Sequence, residues 1–171
     1  MDNKTLLIVL GVVAVLGVAS AGMYILLTKE GEYDWHLGKY DVFQVSGSSG
    51  ATVFDGTFKM ENTAVKGSMI TVTVTYDIHY RVGAGPRTPF LVMTETDTIN
   101  AKEMIDTWVF QSTGTLATNW GNKAVDIYIE SKDGTTVKMW VDRDNKFVCY
   151  KMEVIIDGFT LTFTLSASNY L

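Results

Sequence analysis

Alternation of apolar and polar residues dominates the chain after residue 50 and predicts β-strands. Between residues 70 and 81, apolar and polar side chains alternate without a break, which is typical of an antiparallel strand with one buried face. The same period of two recurs on both sides of this segment. It predicts further strands at 41–45, 52–61, 90–93, 125–130, 137–142, 147–156 and 159–166.

Glycine, serine and proline separate these segments and predict the turns. Residues 46–50 read as a flexible turn, and residues 83–89 form a loop that contains both prolines, so the strands are predicted to be free of proline. Asp133-Gly134 and Asp157-Gly158 are hairpin signals near the C-terminus. Gly56 interrupts an alternating segment and predicts a bulge or a bend.

Residues 97–108 are the one candidate for a helix outside the N-terminal region. Asp97 or Thr98 is placed to cap its first turn. The apolar residues Ile99, Met104, Ile105 and Trp108 then lie close to one face.

Seven to nine predicted strands with one short helix lead to a mainly β fold. Because one helix cannot cover the apolar face of so many strands, we expect a curved antiparallel sheet that forms a half-barrel, a barrel or a sandwich. A filled core and a cavity for an apolar ligand remain equal alternatives for its inside. The residues expected to face inwards are Val72, Val74, Tyr76, Ile78, Phe159, Leu161 and Phe163.

An apolar run at residues 6–27 precedes the predicted sheet. Its 22 residues carry no charge and match the thickness of a bilayer core as a helix. We therefore expect a short cytoplasmic segment at 1–5, a single transmembrane helix at 6–27, a juxtamembrane segment at 28–40 and a β domain at 41–171 outside the cell. The alternative is secretion after cleavage behind Ala19-Ser20-Ala21.

Small residues within this run allow another helix to approach closely. Gly17 and Ala21 have the spacing of a helix–helix contact in membranes, so a homo-oligomer or a partner membrane protein is a candidate. The lipid bilayer itself is the first expected partner.

Composition and motifs exclude several classes of function. A net charge of −5 and a pI near 4.9 argue against a nucleic-acid partner. Cys149 is the single cysteine and is expected to be buried. His79 falls on a polar strand face, and His36 has no partner at metal-ligand spacing. We expect no catalytic residue, metal or cofactor.

The segment at 142–146 has a superficial likeness to a calcium loop. Phe147 stands where such a loop requires glycine, and Lys146 stands in place of a ligand. A plain hairpin turn is therefore predicted there.

Two family resemblances bear on function. The segment from Ala124 to Leu165, with 141–145, 151–153 and 159–163 as its points of likeness, resembles LolA-type lipoprotein carriers. That resemblance implies an unclosed curved sheet whose concave face holds acyl chains. The N-terminal apolar run before a β domain resembles type IV pilin-like subunits, which implies packing of that run into a filament core.

Two functions follow as expectations. The first is a membrane-anchored, extracytoplasmic β domain that binds an apolar, lipid-like ligand or a partner protein at the outer face of the membrane. The alternative is a structural subunit of a filament or cell-envelope complex, assembled through the N-terminal apolar segment. An enzyme is not expected.

Overall fold

Nine β-strands make up the regular structure of the described part of the chain. The computed structural model describes residues 37–67, 69–100, 109–132, 134–145, 148–156 and 159–171. The strands are β1 (Tyr40–Ser49), β2 (Thr52–Lys66), β3 (Met69–Val82), β4 (Thr88–Asn100), β5 (Val109–Thr118), β6 (Gly121–Lys132), β7 (Thr135–Asp142), β8 (Cys149–Ile156) and β9 (Phe159–Ser168).

All nine strands belong to one antiparallel sheet in the order β4-β3-β2-β1-β9-β8-β7-β6-β5. The first and the last strands are paired with each other at its centre, through pairs such as Val45 with Phe163. The two edge strands, β4 and β5, are consecutive in the chain. They are not hydrogen-bonded to each other, so the sheet is open.

The order of the strands requires this sheet to curve. Eight strand spacings separate β4 from β5, which is about 38 Å in a flat sheet. Only eight residues, 101–108, join the two strands, and a fully extended chain of that length reaches about 30 Å. The two edges also run in the same direction, so the connection must return from one end of the sheet to the other.

Most of the core lies on one face of the sheet, which we call the inner face and define by Phe43, Phe58 and Phe163. These three rings are fully buried and contact one another, with centroid distances of 5.8 Å for Phe43–Phe58 and 5.6 Å for Phe58–Phe163. Tyr76 extends the row at 5.4 Å from Phe58. Each buried ring contributes about 1.5–3 kcal/mol to folding through removal from water. The row therefore joins β1, β2, β3 and β9 into one core.

Two glycines allow neighbouring strands to approach closely within this core. A Cβ atom on Gly47 would lie 2.7 Å from the carbonyl oxygen of Thr160, and one on Gly56 would lie 2.1 Å from that of Asp77. Gly56 also has a φ of 158°, which side chains rarely tolerate. No register shift occurs at Gly56, so the predicted bulge is absent and a close backbone approach takes its place.

The structure contradicts two parts of the expected fold class. These are the start of the short helix at 97–108 and, among the three expected forms of the sheet, the closed barrel. Residues 97–100, the predicted start of a helix, belong to β4, where Thr98 pairs with Thr71 and their side chains share a hydrogen bond of 3.0 Å. β-branched threonines favour this arrangement over a helix. The part of the chain described here contains no helix, and the closed barrel is excluded by the unpaired edges.

The expectations for residues 1–36 and 101–108 lie outside the described residues. They include the transmembrane helix at 6–27, the contact through Gly17 and Ala21, and the second half of the predicted helix at 97–108. Among the residues that the structure does describe, no helix has the length and apolarity to span a membrane.

Three strand predictions also need correction. Pro89 is the second residue of β4. An edge strand tolerates proline because every second backbone N–H of such a strand faces solvent and makes no hydrogen bond within the sheet. β5 was not predicted, because its Ser, Thr and Gly residues lack apolar alternation. β1 extends to Ser49, so residues 46–49, which were read as part of a flexible turn, belong to a strand paired with its neighbours.

Candidate functional site

The seven residues expected to face inwards lie on the inner face of β3 and β9. Their exposed fractions range from 0% for Ile78, Leu161 and Phe163 to 6% for Phe159. β2 and β1 separate the two strands in the sheet. A filled core and an occupied ligand site both require such burial, so the assignment of these residues to a ligand stays a prediction.

Tyr76 differs from the other six residues because it carries a polar atom. Its Oη donates a hydrogen bond to Oε1 of Glu95 on the neighbouring edge strand, at 2.8 Å. Burial, and then the Glu95 carboxylate, raise the pKa of Tyr76 above its ordinary value. The phenol therefore stays a neutral donor and links the core to β4.

A buried polar cluster surrounds Asp41 at the start of β1. Asp41 is 1% exposed, and its Oδ1 has no hydrogen-bond partner. Burial raises its pKa to about 7, while a hydrogen bond with Ser168 has the opposite effect. Burial, with the nearby Asp41 charge, also raises the pKa of Cys149 to about 12. Cys149 is thus an unreactive buried thiol, in agreement with the sequence-based expectation.

The C-terminal residues lie against this cluster and connect it to the start of the described chain. Nζ of Lys39 donates to the carbonyl oxygen of Asn169 at 2.7 Å, and the backbone N–H of Tyr40 donates to Oδ1 of Asn169 at 2.7 Å. The side-chain amide of Asn62 donates to Oη of Tyr170 at 3.1 Å. These contacts hold both ends of the domain together, and their role is structural.

The turn after β7 is a hairpin turn organised by Asp142. Its Oδ1 accepts the backbone N–H groups of Asp144 and Asn145 at 2.8 and 2.7 Å, and its Oδ2 accepts the hydroxyl of Tyr150 at 2.7 Å. Although burial acts to raise the pKa of Asp142, these hydrogen bonds lower it overall. Both oxygens of the Asp142 carboxylate therefore accept hydrogen bonds from the turn and from β8, which agrees with the predicted hairpin turn.

His79 is more buried than its place in the sequence indicates. Its side chain is 15% exposed, and Nδ1 lies 3.5 Å from Oδ1 of Asp77, at the limit of a hydrogen bond. Within the described ranges, no three histidine, cysteine or acidic residues are grouped in a way that would hold a metal ion.

The outer face of β7 and β8 carries a half-buried tryptophan, Trp140, that has close contacts with two lysines. Nζ of Lys138 and Nζ of Lys151 lie 5.0 and 4.6 Å from the ring centroid of Trp140. Lys151 also forms an ion pair with Glu153 at 2.7 Å. Cation–π contacts of this kind stabilise the pairing of β7 with β8. They also cover the Trp140 ring with side chains of the same molecule.

The two edge strands differ in their protection against pairing with other chains. β4 has 13 residues and carries Pro89 together with the acidic residues Glu95 and Asp97. Proline and charged side chains on an edge oppose the addition of another strand. β4 is thus a protected edge.

β5 has none of these protective residues. Its ten residues, VFQSTGTLAT, include no charge and no proline, and most of its side chains are exposed. Val109 is 63% exposed and Phe110 53% exposed, the largest such pair of neighbours on an edge. We call the unpaired backbone of Val109–Thr118 the β5 edge. It is the part of the described surface that is best suited to bind another chain.

A bulge limits the regular part of the β5 edge. The pairing of β5 with β6 shifts between Phe110 and Ser112, which leaves Ser112 to Thr118 in uninterrupted register. Sequence reasoning missed this site because the segment reads as a polar loop. The available signal was its composition, since threonine has a high preference for strands and no charge interrupts the segment.

Comparisons with known proteins give no family for this chain. Its sequence matches no protein-family model and no curated protein. Among solved structures it is similar to PNGF-II, with a TM-score of 0.40 and 9% identity. The match covers 77% of this chain and 28% of that chain, so the present chain spans less than a third of its length. At this level the similarity assigns no function.

Proposed function

We propose that this protein is a non-catalytic interaction module that binds an extended segment of a partner protein along the β5 edge. The proposal also places the domain at a membrane, outside the cytoplasm, because the uncharged run at residues 6–27 precedes it. Binding occurs by addition of a strand to the open sheet.

The observation that carries this proposal is the contrast between the two edges. β4 has a proline and two carboxylates, whereas β5 has ten uncharged residues, most of them exposed, including Val109 and Phe110. A soluble sheet with such an unprotected edge is prone to aggregate unless a partner covers it.

The apolar-ligand alternative has a different location in the molecule. It depends on the inner face, where residues such as Leu161 and Phe163 have no exposed surface. The β5 edge, in contrast, is already accessible to a macromolecule without any rearrangement of the core.

Site-specific photo-crosslinking in the native host tests the proposal. The full chain carries a photoreactive amino acid at Thr115, which is exposed in the middle of the β5 edge. A control chain carries it at Thr164, which is exposed on the central strand β9. We expect a discrete protein adduct for position 115 and none for position 164.

Mass spectrometry of the adduct identifies the partner. The absence of any adduct at position 115, or the same adducts at both positions, contradicts a role for the β5 edge.

A further inference from the structure

We infer that the segment bound at the β5 edge is the β5 edge of a second copy of this chain, in antiparallel orientation about a twofold axis. This inference rests on the proposed function and specifies its partner. The two open sheets then join into one continuous sheet across the dimer.

Charge is the first argument for a second copy as the partner. Self-pairing of an edge places like residues of the two copies near one another, so a charged edge repels itself. β4 has Glu95 and Asp97 and is therefore unsuited to self-pairing, whereas β5 has no charged residue over its whole length. Of the two edges, only β5 has a composition that is compatible with its own copy.

The length of the regular segment is the second argument. Antiparallel pairing supplies on average about one backbone hydrogen bond per residue, so Ser112 to Thr118 supply about seven. A typical protein interface has roughly ten direct hydrogen bonds, with a wide range on either side. The regular part of the β5 edge is thus long enough for a specific contact.

The exposed apolar side chains supply the third argument. Val109 and Phe110 lie before the bulge at the beginning of β5, and Trp120, which is 38% exposed, follows its end. An antiparallel pairing centred on Thr115, the middle of the regular segment, places Ser112 of one copy beside Thr118 of the other, so Val109 and Phe110 lie beside the end of the partner's β5. The two exposed residues then gain apolar contacts at both ends of the interface.

Introducing like or opposite charges into β5 of the full chain tests the inference. Thr115 and Ala117 have exposed side chains and are paired with the uncharged Ala124 and Asn122 of β6, so charges at these positions leave the fold intact. We expect T115K/A117K and T115E/A117E each to be monomeric by sedimentation velocity in mild detergent, where the unmodified chain is dimeric. An equimolar mixture of the two variants is expected to restore the dimer.

A matched control uses the other edge. T94K/T96K places two lysines at exposed positions of β4 and is expected to leave the dimer unchanged. Thermal unfolding of every variant shows whether each is folded, and recovery of the dimer in the mixture excludes misfolding as the cause of dissociation.

The outcomes separate this inference from the proposed function. A monomeric unmodified chain, or a dimer that T115K/A117K leaves intact, overturns the inference. If the photoreactive group at position 115 then captures a different protein, the proposed function stands and only the second copy is wrong as the partner. If it captures nothing, both fail. Dissociation by T94K/T96K alone assigns the contact to β4 and also overturns the inference.

Discussion

Asp41 is a buried carboxyl group whose ionisation makes the stability of the domain depend on pH. In the unfolded chain its carboxyl group loses a proton near pH 4, whereas burial raises the pKa to about 7 in the folded protein. Between these values the folded state binds more protons than the unfolded state. The contribution of Asp41 therefore makes the free energy of unfolding fall as the pH rises from about 4 to about 7, and remain constant above that.

We expect D41N to increase the free energy of unfolding at neutral pH. A difference of about three pKa units corresponds to about 4 kcal/mol, which is the upper limit of the gain. Urea unfolding of the full chain from about pH 4 to about pH 8 measures it. S168A removes the hydrogen bond that lowers this pKa, so it should extend the pH-dependent range upwards. A D41N variant with the unmodified pH dependence would contradict this account.

Phe163 distinguishes a filled core from a ligand site. It has no exposed surface, pairs with Val45 and Met152, and contacts the ring of Phe58. In a filled core, F163A should lower the free energy of unfolding by about 3–5 kcal/mol. At the wall of a ligand cavity the loss is much smaller, and binding of an apolar probe decreases instead.

Thermal unfolding together with a fluorescent apolar probe measures both effects. V92A, at a half-exposed position of the other edge strand β4, is the control and should change stability by less than about 1 kcal/mol. A large loss of stability in F163A, with no probe bound by the unmodified chain, rules out the apolar-ligand function.

At the residue scale, the sequence predicted the inner face well and the buried polar groups poorly. Alternation identifies Val72 and Ile78 as facing one side, because a strand has a period of two. The burial of Asp41 depends on its pairing with Ser168, which is 127 positions away in the sequence. Such a long-range contact leaves no local pattern.

At the scale of elements, the glycines of β1 and β2 set how closely the strands pack. G56A places a methyl group 2.1 Å from the backbone oxygen of Asp77 and requires an unfavourable φ. We expect it to lower the free energy of unfolding by about 1–3 kcal/mol or more. G47A, with its closest contact at 2.7 Å, should have a smaller effect.

Gly114 provides the matched control, because it also lies within a strand. A methyl group there meets its nearest atom at 3.6 Å, so G114A should be neutral or stabilising by up to about 1 kcal/mol. Chemical denaturation of the three variants measures the series. Equal effects at positions 56 and 114 would show that close backbone approach is not the cause.

The elements with strong alternation were predicted from the sequence, whereas of the two edge strands only residues 90–93 of β4 were predicted and β5 was not. β3 and β9 match their predicted segments closely, because both alternate without interruption. The last four residues of β4, 97–100, were read as the start of a helix, and β5 was read as no element at all. An edge strand has neither face fully buried, so the hydrophobic pattern that identifies other strands is weak there.

At the scale of the whole molecule, the hydrogen-bonded sheet is complete within residues 40–168. We therefore expect a chain that begins at residue 32 to be soluble and to unfold in one cooperative thermal transition. A chain that begins at Asp41 is the control: it lacks Lys39 and Tyr40, which bind Asn169, and should melt at a lower temperature. Solubility of the longer chain only in detergent would contradict the prediction.

The central pairing of β1 with β9 also affects how the protein is made. Synthesis proceeds at roughly 5–20 residues per second, and about 110 residues separate the end of β1 from the start of β9. The side of β1 that pairs with β9 therefore has unpaired backbone groups for on the order of ten seconds during synthesis. A nascent chain that stops before residue 159 exposes a strand that is interior in the finished domain. The unpaired side of β1 is therefore open to pairing with other chains until β9, the last ten-residue strand, has left the ribosome.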